Sequence, residues 1–162
     1  ASVPFLPWWK QNTSYMSRRT IAIAAALSVL ALGSPLITGC TNPFFETQTL
    51  KFMWNFNQAL EKYEAGNYPG AITDYDKAIE IDSQSAFAYY SRGIAKSNLG
   101  DYQGAIADYT KALEINPQDV DVYSNRGMTR EMVNDLKGAC DDWRKAADLG
   151  DELSAKWVKN QC

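Results

Sequence analysis

The chain of 162 residues contains no histidine. That absence removes imidazole acid–base catalysis, Ser–His and Cys–His nucleophile pairs, and every zinc site that needs a ring nitrogen. Cysteine is nearly as scarce. Cys40, Cys140 and Cys162 are too few and too scattered for a four-thiolate metal site or an iron–sulfur cluster. Neither a glycine-rich phosphate loop nor a calcium loop of alternating acids occurs. The acids Asp141 and Asp142, and the pair Asp74 and Asp76, are expected on solvated helix faces rather than as an acid–base or metal pair. Arg92 and Arg126 are expected to pair between helices. With 16 basic against 19 acidic residues the net charge is -3, which disfavours nucleic-acid binding through phosphate attraction. No catalytic constellation remains, so the sequence points away from an enzyme, and no cofactor or metal is expected.

Acidic residues are missing altogether from positions 1–45, which hold only Lys10, Arg18 and Arg19 as charges, +3 in all. Positions 46–162 hold 13 Lys and Arg against 19 acids, a balance of -6. A basic, apolar leader thus precedes an acidic body. Thr20 to Phe45 carries no charge, and Ile21 to Leu32 is almost entirely Ala, Ile, Leu and Val. About 20 helical residues cross a hydrocarbon core of about 30 Å, so residues 20–40 suffice for one transmembrane helix, despite Gly33 and Pro35. Arg18 and Arg19 directly before the run place the N-terminus on the cytoplasmic or stromal side and the body on the far side. Trp8, Trp9, Phe44, Phe45 and Trp54 are then candidate membrane-proximal aromatics. A second reading stays open. Ser17-Arg18-Arg19-Thr20-Ile21 resembles a twin-arginine export signal, and Ile37-Thr38-Gly39-Cys40 resembles the lipobox of bacterial lipoproteins, which would make Cys40 a lipidation site and remove the leader. Either way the body is expected outside the cytoplasm, in a periplasm or lumen.

The body repeats with a period of 34 residues. Ala71, Ala105 and Ala139 keep that step, as do Tyr75, Tyr109 and Trp143, then Ala78, Ala112 and Ala146, then Ala59, Gly93 and Gly127. Within one unit, Tyr89, Gly93, Gly100, Tyr102, Ala105, Tyr109, Ala112 and Pro117 fall at the positions of the tetratricopeptide repeat (TPR), which this chain resembles from Phe52 to its end. The wording of the units resembles repeats abundant in bacteria and cyanobacteria. The first unit departs by Asn55, Ala59 and Ser83, and the third by Asn134 and Asp151.

The resemblance implies an all-α fold of three helix-turn-helix repeats plus a C-terminal capping helix, a right-handed α-solenoid, preceded by the N-terminal transmembrane helix. The expected division is 1–19 as a tail, 20–40 as membrane helix or signal, and 41–51 as linker and start of the first helix. Residues 52–151 form the repeats (52–85, 86–119 and 120–151), and 152–162 the cap. Helices are expected at 48–65, 68–82, 86–99, 102–115, 120–133, 136–149 and 152–161, with Leu153, Trp157 and Val158 on the inner face of the last.

Carrying over the family's groove positions residue by residue gives Met53, Phe56, Leu60 and Tyr63 from the first unit. The second supplies Phe87, Tyr90, Ile94, Ser97 and Asn98, and the third Asp121, Ser124, Met128, Glu131 and Met132. Family members that clamp a peptide carboxylate use Lys and Arg there, and this chain has none at those positions. An apolar groove with methionine suits another polypeptide segment, although an apolar residue at helical spacing is also what a core uses. Part of the cluster Phe44, Phe45, Phe52, Trp54 and Phe56 is expected to dock on a membrane protein or the bilayer. Cys140 and Cys162 lie at similar heights on two antiparallel helices. A disulfide between them and a pair of free thiols both remain open.

The expected role is a non-catalytic, membrane-anchored scaffold or accessory subunit of a membrane complex, with a thylakoid complex one setting. The alternatives are a lipoprotein adaptor acylated at Cys40 and a transient assembly factor or chaperone. Other proteins and membrane lipid are the expected partners, and nucleic acid is not.

Overall fold

A computed structural model describes residues 43–162, with side chains from Thr47 onward. The expected membrane segment 20–40, Cys40, Trp8 and Trp9 lie outside the described residues, as do the side chains of Phe44 and Phe45. Among the described residues no helix is long and apolar enough to cross a membrane.

Seven helices follow one another without a strand among the described residues: α1 (Pro43–Glu64), α2 (Tyr68–Ile81), α3 (Ala86–Leu99), α4 (Tyr102–Ile115), α5 (Val120–Met132), α6 (Leu136–Asp148) and α7 (Glu152–Gln161). Helix α1 starts five residues before the expected 48, with Pro43 at its first position, where a fixed φ and a missing N–H cost nothing. The other boundaries lie within one residue of expectation.

Punctuation recurs with the period. Asn67, Asp101 and Asp135 cap α2, α4 and α6 by accepting from the N–H of Gly70, Gly104 and Gly138, each at 3.0 Å. Gly100 ends α3 at φ 90°, and Asn134 fills the same place after α5 at φ 63°.

Consecutive helices pack as antiparallel pairs, α1 with α2, α3 with α4 and α5 with α6, and each pair stacks on the next. The closest approach within a pair explains the glycine step. A Cβ on Gly93 would meet the Tyr109 ring at 2.7 Å, and one on Gly127 would meet the Trp143 indole at 2.5 Å. Burial is organised unit by unit. Ala71, Tyr75, Ala78 and Ala88 form one cluster, Ala105, Tyr109, Leu113 and Val122 the next, and Ala139, Cys140 and Trp143 the last.

Two expectations are corrected here. Asp74 and Asp142 are buried, 2% and 3% exposed, while Asp76 is half-exposed and Asp141 exposed. The buried acids hold together because cations reach them, all from the partner helix except Lys77, which lies one turn after Asp74 on α2 itself. Lys62 and Lys77 meet Asp74, Arg92 and Lys96 meet Asp108, and Arg126 and Arg130 meet Asp142. Arg92 also spans to Asp76 of the preceding unit at 2.6 Å, and Arg126 donates to Thr110 of the preceding unit at 3.0 Å. The two arginines therefore tie neighbouring units as well as paired helices. On α7 the inner stripe is Ser154, Trp157 and Val158, whereas Leu153, although four residues before Trp157, sits about 100° round the helix from Ser154 and is 51% exposed.

The cap is closed by a Cys140–Cys162 disulfide with a Cα–Cα distance of 5.7 Å. The rings of Trp143 and Trp157 pack beneath it with centroids 5.4 Å apart.

Candidate functional site

The carried-over groove positions all lie on the first helix of each pair, α1, α3 and α5, but they do not form one continuous opening. In the first unit the molecule fills the space with its own rings. Phe56 is 7% exposed and stacks with Phe52, Tyr75 and Phe87 at centroid distances of 5.8, 5.3 and 5.1 Å. Phe56 is thus core rather than a contact residue, because three aromatics converge on one face of α1 and bury one another. Leu60 and Tyr63 also pack against that core, while Met53 remains exposed at its edge and Phe87 presents its outer side.

Between α3 and α5 the space stays open. A hollow of about 350 Å³ is lined from α3 by Ile94, Ser97 and Asn98, and from α5 by Asn125, Met128, Thr129, Glu131 and Met132. The Tyr109 ring of α4 also borders it. Six of these residues were expected from the groove positions. Tyr90 stands beside the hollow, its ring 6.0 Å from Tyr109, and Ser124 turns toward the cap, bonding Ser154 at 3.2 Å. Asn125 and Thr129 were not singled out from the sequence. Their signal was present in the stripe 121, 125, 128 and 132, which puts Asn125 between Asp121 and Met128 on one helix face.

Small polar bonds hold the walls. The Asn98 amide nitrogen donates to the Ile94 carbonyl at 2.9 Å and to the Tyr63 hydroxyl at 3.0 Å. The Asn125 amide nitrogen donates to the Asp121 carbonyl at 2.7 Å and to the Tyr90 hydroxyl at 3.1 Å. In each pair one bond stays within the helix and the other reaches the first helix of the preceding unit, which fixes the spacing between units. Burial, then the charges of Asp121 and Asp119, keep the Tyr90 hydroxyl protonated well above its usual range. Asp121 is itself shifted upward, by burial and then by the neighbouring Asp119 and Asp151. Among the described residues no cation forms an ion pair with Asp121.

At the start of the repeats, one repeat position behaves differently in its three occurrences. Ala88 and Val122 are 0% and 1% exposed, each against the second helix of the preceding unit, and the equivalent Trp54 is 63% exposed. Leu50, one turn earlier, is also exposed. No described unit precedes α1 to cover this face.

Chemically the hollow offers apolar walls, hydroxyls and amide groups. Among the described residues no group of three or more cysteines, aspartates or glutamates is arranged to hold a metal ion.

Tetratricopeptide repeat models match residues 86–119 and 108–141, and a TPR repeat model matches residues 59–100. No match is found among curated protein sequences. Among solved structures the chain is similar to the TPR domain of Arabidopsis OM64, with 26% identity and a TM-score of 0.66 over 70% of this chain and 96% of that one. It is also similar to the second TPR domain of human RPAP3 in complex with the HSP70 peptide SGPTIEEVD, with 20% identity and a TM-score of 0.65 over 69% of this chain and 95% of that one. A third is the TPR2B domain of yeast Sti1 in a complex with Hsp70, with 23% identity and a TM-score of 0.63 over 69% and 93%. At these identities the latter two establish the shared fold.

Proposed function

The chain belongs to the tetratricopeptide repeat family, and from that premise we propose that it is a non-catalytic protein-interaction module that receives a segment of a partner polypeptide between α3 and α5. The observation that carries this reading is the hollow itself, which the described residues leave uncovered although Ile94, Met128 and Met132 line it. Apolar side chains left at a concave surface gain free energy when a partner removes them from water, by about 25 cal/mol per Å². Methionine adapts its shape to what it meets. The solved neighbours support protein partners, since two of them are complexes with Hsp70 or a peptide of it.

The reading extends to the membrane. Residues 20–40 of the uncharged run behind Arg18 and Arg19 form a single-span anchor that holds the repeats on the far side of the bilayer, in a periplasm or thylakoid lumen. There the module serves as scaffold or accessory subunit of a membrane complex, a thylakoid one being the setting that the style of the repeats favours. The exposed Trp54 and Leu50, on the end of the repeats that follows this run, suit contact with a membrane protein or the lipid interface. The disulfide fits such an oxidising compartment.

The test is co-purification after detergent extraction of the full chain, with Ile94→Asp and Met128→Asp beside the unaltered protein. Stoichiometric partner recovery that both substitutions abolish is the expected result. Unchanged recovery moves the interface to the outer helices or the leader. The sequence Ile37-Thr38-Gly39-Cys40 favours a second reading, a lipoprotein adaptor acylated at Cys40. Intact mass decides between them: a diacylglyceryl-modified chain beginning at Cys40 replaces the spanning anchor with a lipid one.

A further inference from the structure

We propose that the occupant of the α3–α5 hollow is a cationic segment, one that carries an apolar anchor between two lysines or arginines, rather than an acidic peptide. The inference rests on the groove reading above and deepens it, from three independent features of the walls.

The first is where the cations have gone. From Phe52 onward the first helices of the pairs, α1, α3 and α5, hold Lys62, Arg92, Lys96, Arg126 and Arg130, and each is bonded to an aspartate on the second helix of its pair. None lines the hollow. A peptide carboxylate placed there meets no charge partner.

The second is the state of the two amides. Both hydrogens of Asn98 are engaged, on the Ile94 carbonyl and the Tyr63 hydroxyl, and both of Asn125, on the Asp121 carbonyl and the Tyr90 hydroxyl. Carbonyl acceptors fix which end of each amide is nitrogen. What remains of both side chains is an oxygen, which accepts hydrogen bonds and cannot donate. These two amides therefore ask for donors.

The third is the pair of carboxylates on α5. Glu131 lines the hollow, and Asp121 lies one turn before the lining residue Asn125 at the start of the same helix, beside Asp119 and Asp151 and with no cation bonded to it. Ten residues separate Asp121 from Glu131, roughly 15 Å along the helix axis at about 1.5 Å per residue. An extended partner spans that distance in about four residues, and a helical one in about ten. The chemistry recognised is two ammonium or guanidinium groups at that separation, with an aliphatic or methionine side chain between them against Ile94, Met128 and Met132.

The experiment uses the full chain and three short fluorescein-labelled peptides that share a leucine–methionine centre and differ only in flanking lysine, glutamate or serine. Anisotropy is read for the unaltered protein, for Asp121→Asn with Glu131→Gln, and for Met128→Asp. The expected result is that the lysine peptide binds about tenfold more tightly than the serine peptide, the size two part-exposed charge pairs supply. The glutamate peptide binds more weakly than either. The double amide variant erases the ranking but keeps serine-peptide binding. Tighter binding of the glutamate peptide overturns the charge inference and leaves the groove reading standing. If none of the peptides binds, or if Met128→Asp leaves all three affinities unchanged, the groove reading falls and the inference with it. Self-association through the groove, with Met128→Asp restoring the monomer and no peptide competing, assigns it to a second copy and likewise overturns the proposal.

Discussion

Arg126 grips Asp142 with two parallel bonds, Nε to Oδ2 at 2.9 Å and Nη2 to Oδ1 at 2.7 Å, across the closest pair of helices in the third unit. Arg130 adds a third contact to the same carboxylate at 2.9 Å. The side chain of Asp142 is 4% exposed, so its charge depends on these partners. Removing it leaves two half-buried guanidinium groups without their main acceptor. Asp142→Ala is expected to cost about 3 kcal/mol of stability. The adjacent Asp141→Ala, which breaks only an exposed pair with Arg144, should change stability by less than about 0.5 kcal/mol. Urea unfolding of the two variants measures the contrast.

Gly93→Ala and Gly127→Ala place a methyl group against the rings of Tyr109 and Trp143. Neither ring has room to retreat, both being 1% exposed. Each substitution is expected to destabilise by about 1–3 kcal/mol despite the better helix propensity of alanine. The first unit already carries Ala59 at this position, so Ala59→Gly should give no relief of strain. Thermal unfolding of the three variants checks the order.

The disulfide closes a loop whose ends are 22 positions apart. By the chain-entropy relation such a loop contributes about 3 kcal/mol. Cys162→Ser should lower the unfolding midpoint accordingly and loosen α7 first, because Trp157 and Val158 packed on α6 and the Ser154 bond to Ser124 of α5 are then what hold it. Hydrogen exchange confined to α7 at native conditions is the expected signature.

Stability should fall at both pH extremes for identifiable reasons. Burial alone would raise the Asp74 carboxyl, but hydrogen bonds and charge from Lys62 and Lys77 outweigh it and hold it below its usual value. The stabilisation from Asp74 is therefore complete above the unfolded value of about 4 and is lost as pH drops through the lower folded value. Tyr75 shows the opposite sign. Burial pushes its hydroxyl up to about 12 against the hydrogen bond with Ser91. Its contribution is complete below about 10 and disappears as pH rises from there to about 12. Urea midpoints across acid, neutral and alkaline pH, with phenolate absorbance, test both limbs.

Much of this architecture can be read from the letters because the 34-residue step encodes contacts directly. Gly93 with Tyr109 and Gly127 with Trp143 are steric pairs, and the α3, α4 and α7 boundaries match expectation to the residue because capping residues stand at them. The burial of Asp74 and Asp142 was not legible. An acid on an amphipathic helix reads as solvated until its cation is known, and Lys62, Arg126 and Arg130 lie 12 to 16 positions away. The filling of the first half of the groove was equally hidden. Phe56 occupies the same repeat position as Tyr90 and Ser124, and only the joint packing of Phe52, Tyr75 and Phe87 decides that it is core.

The most direct test of the account places a photo-crosslinking amino acid in the full chain, one variant at Met128 in the hollow and one at the exposed Lys137 on α6. Both positions are exposed enough to be altered without unfolding the repeats. The account predicts a defined polypeptide adduct from position 128 and none from position 137. Adducts from 137 alone would contradict it.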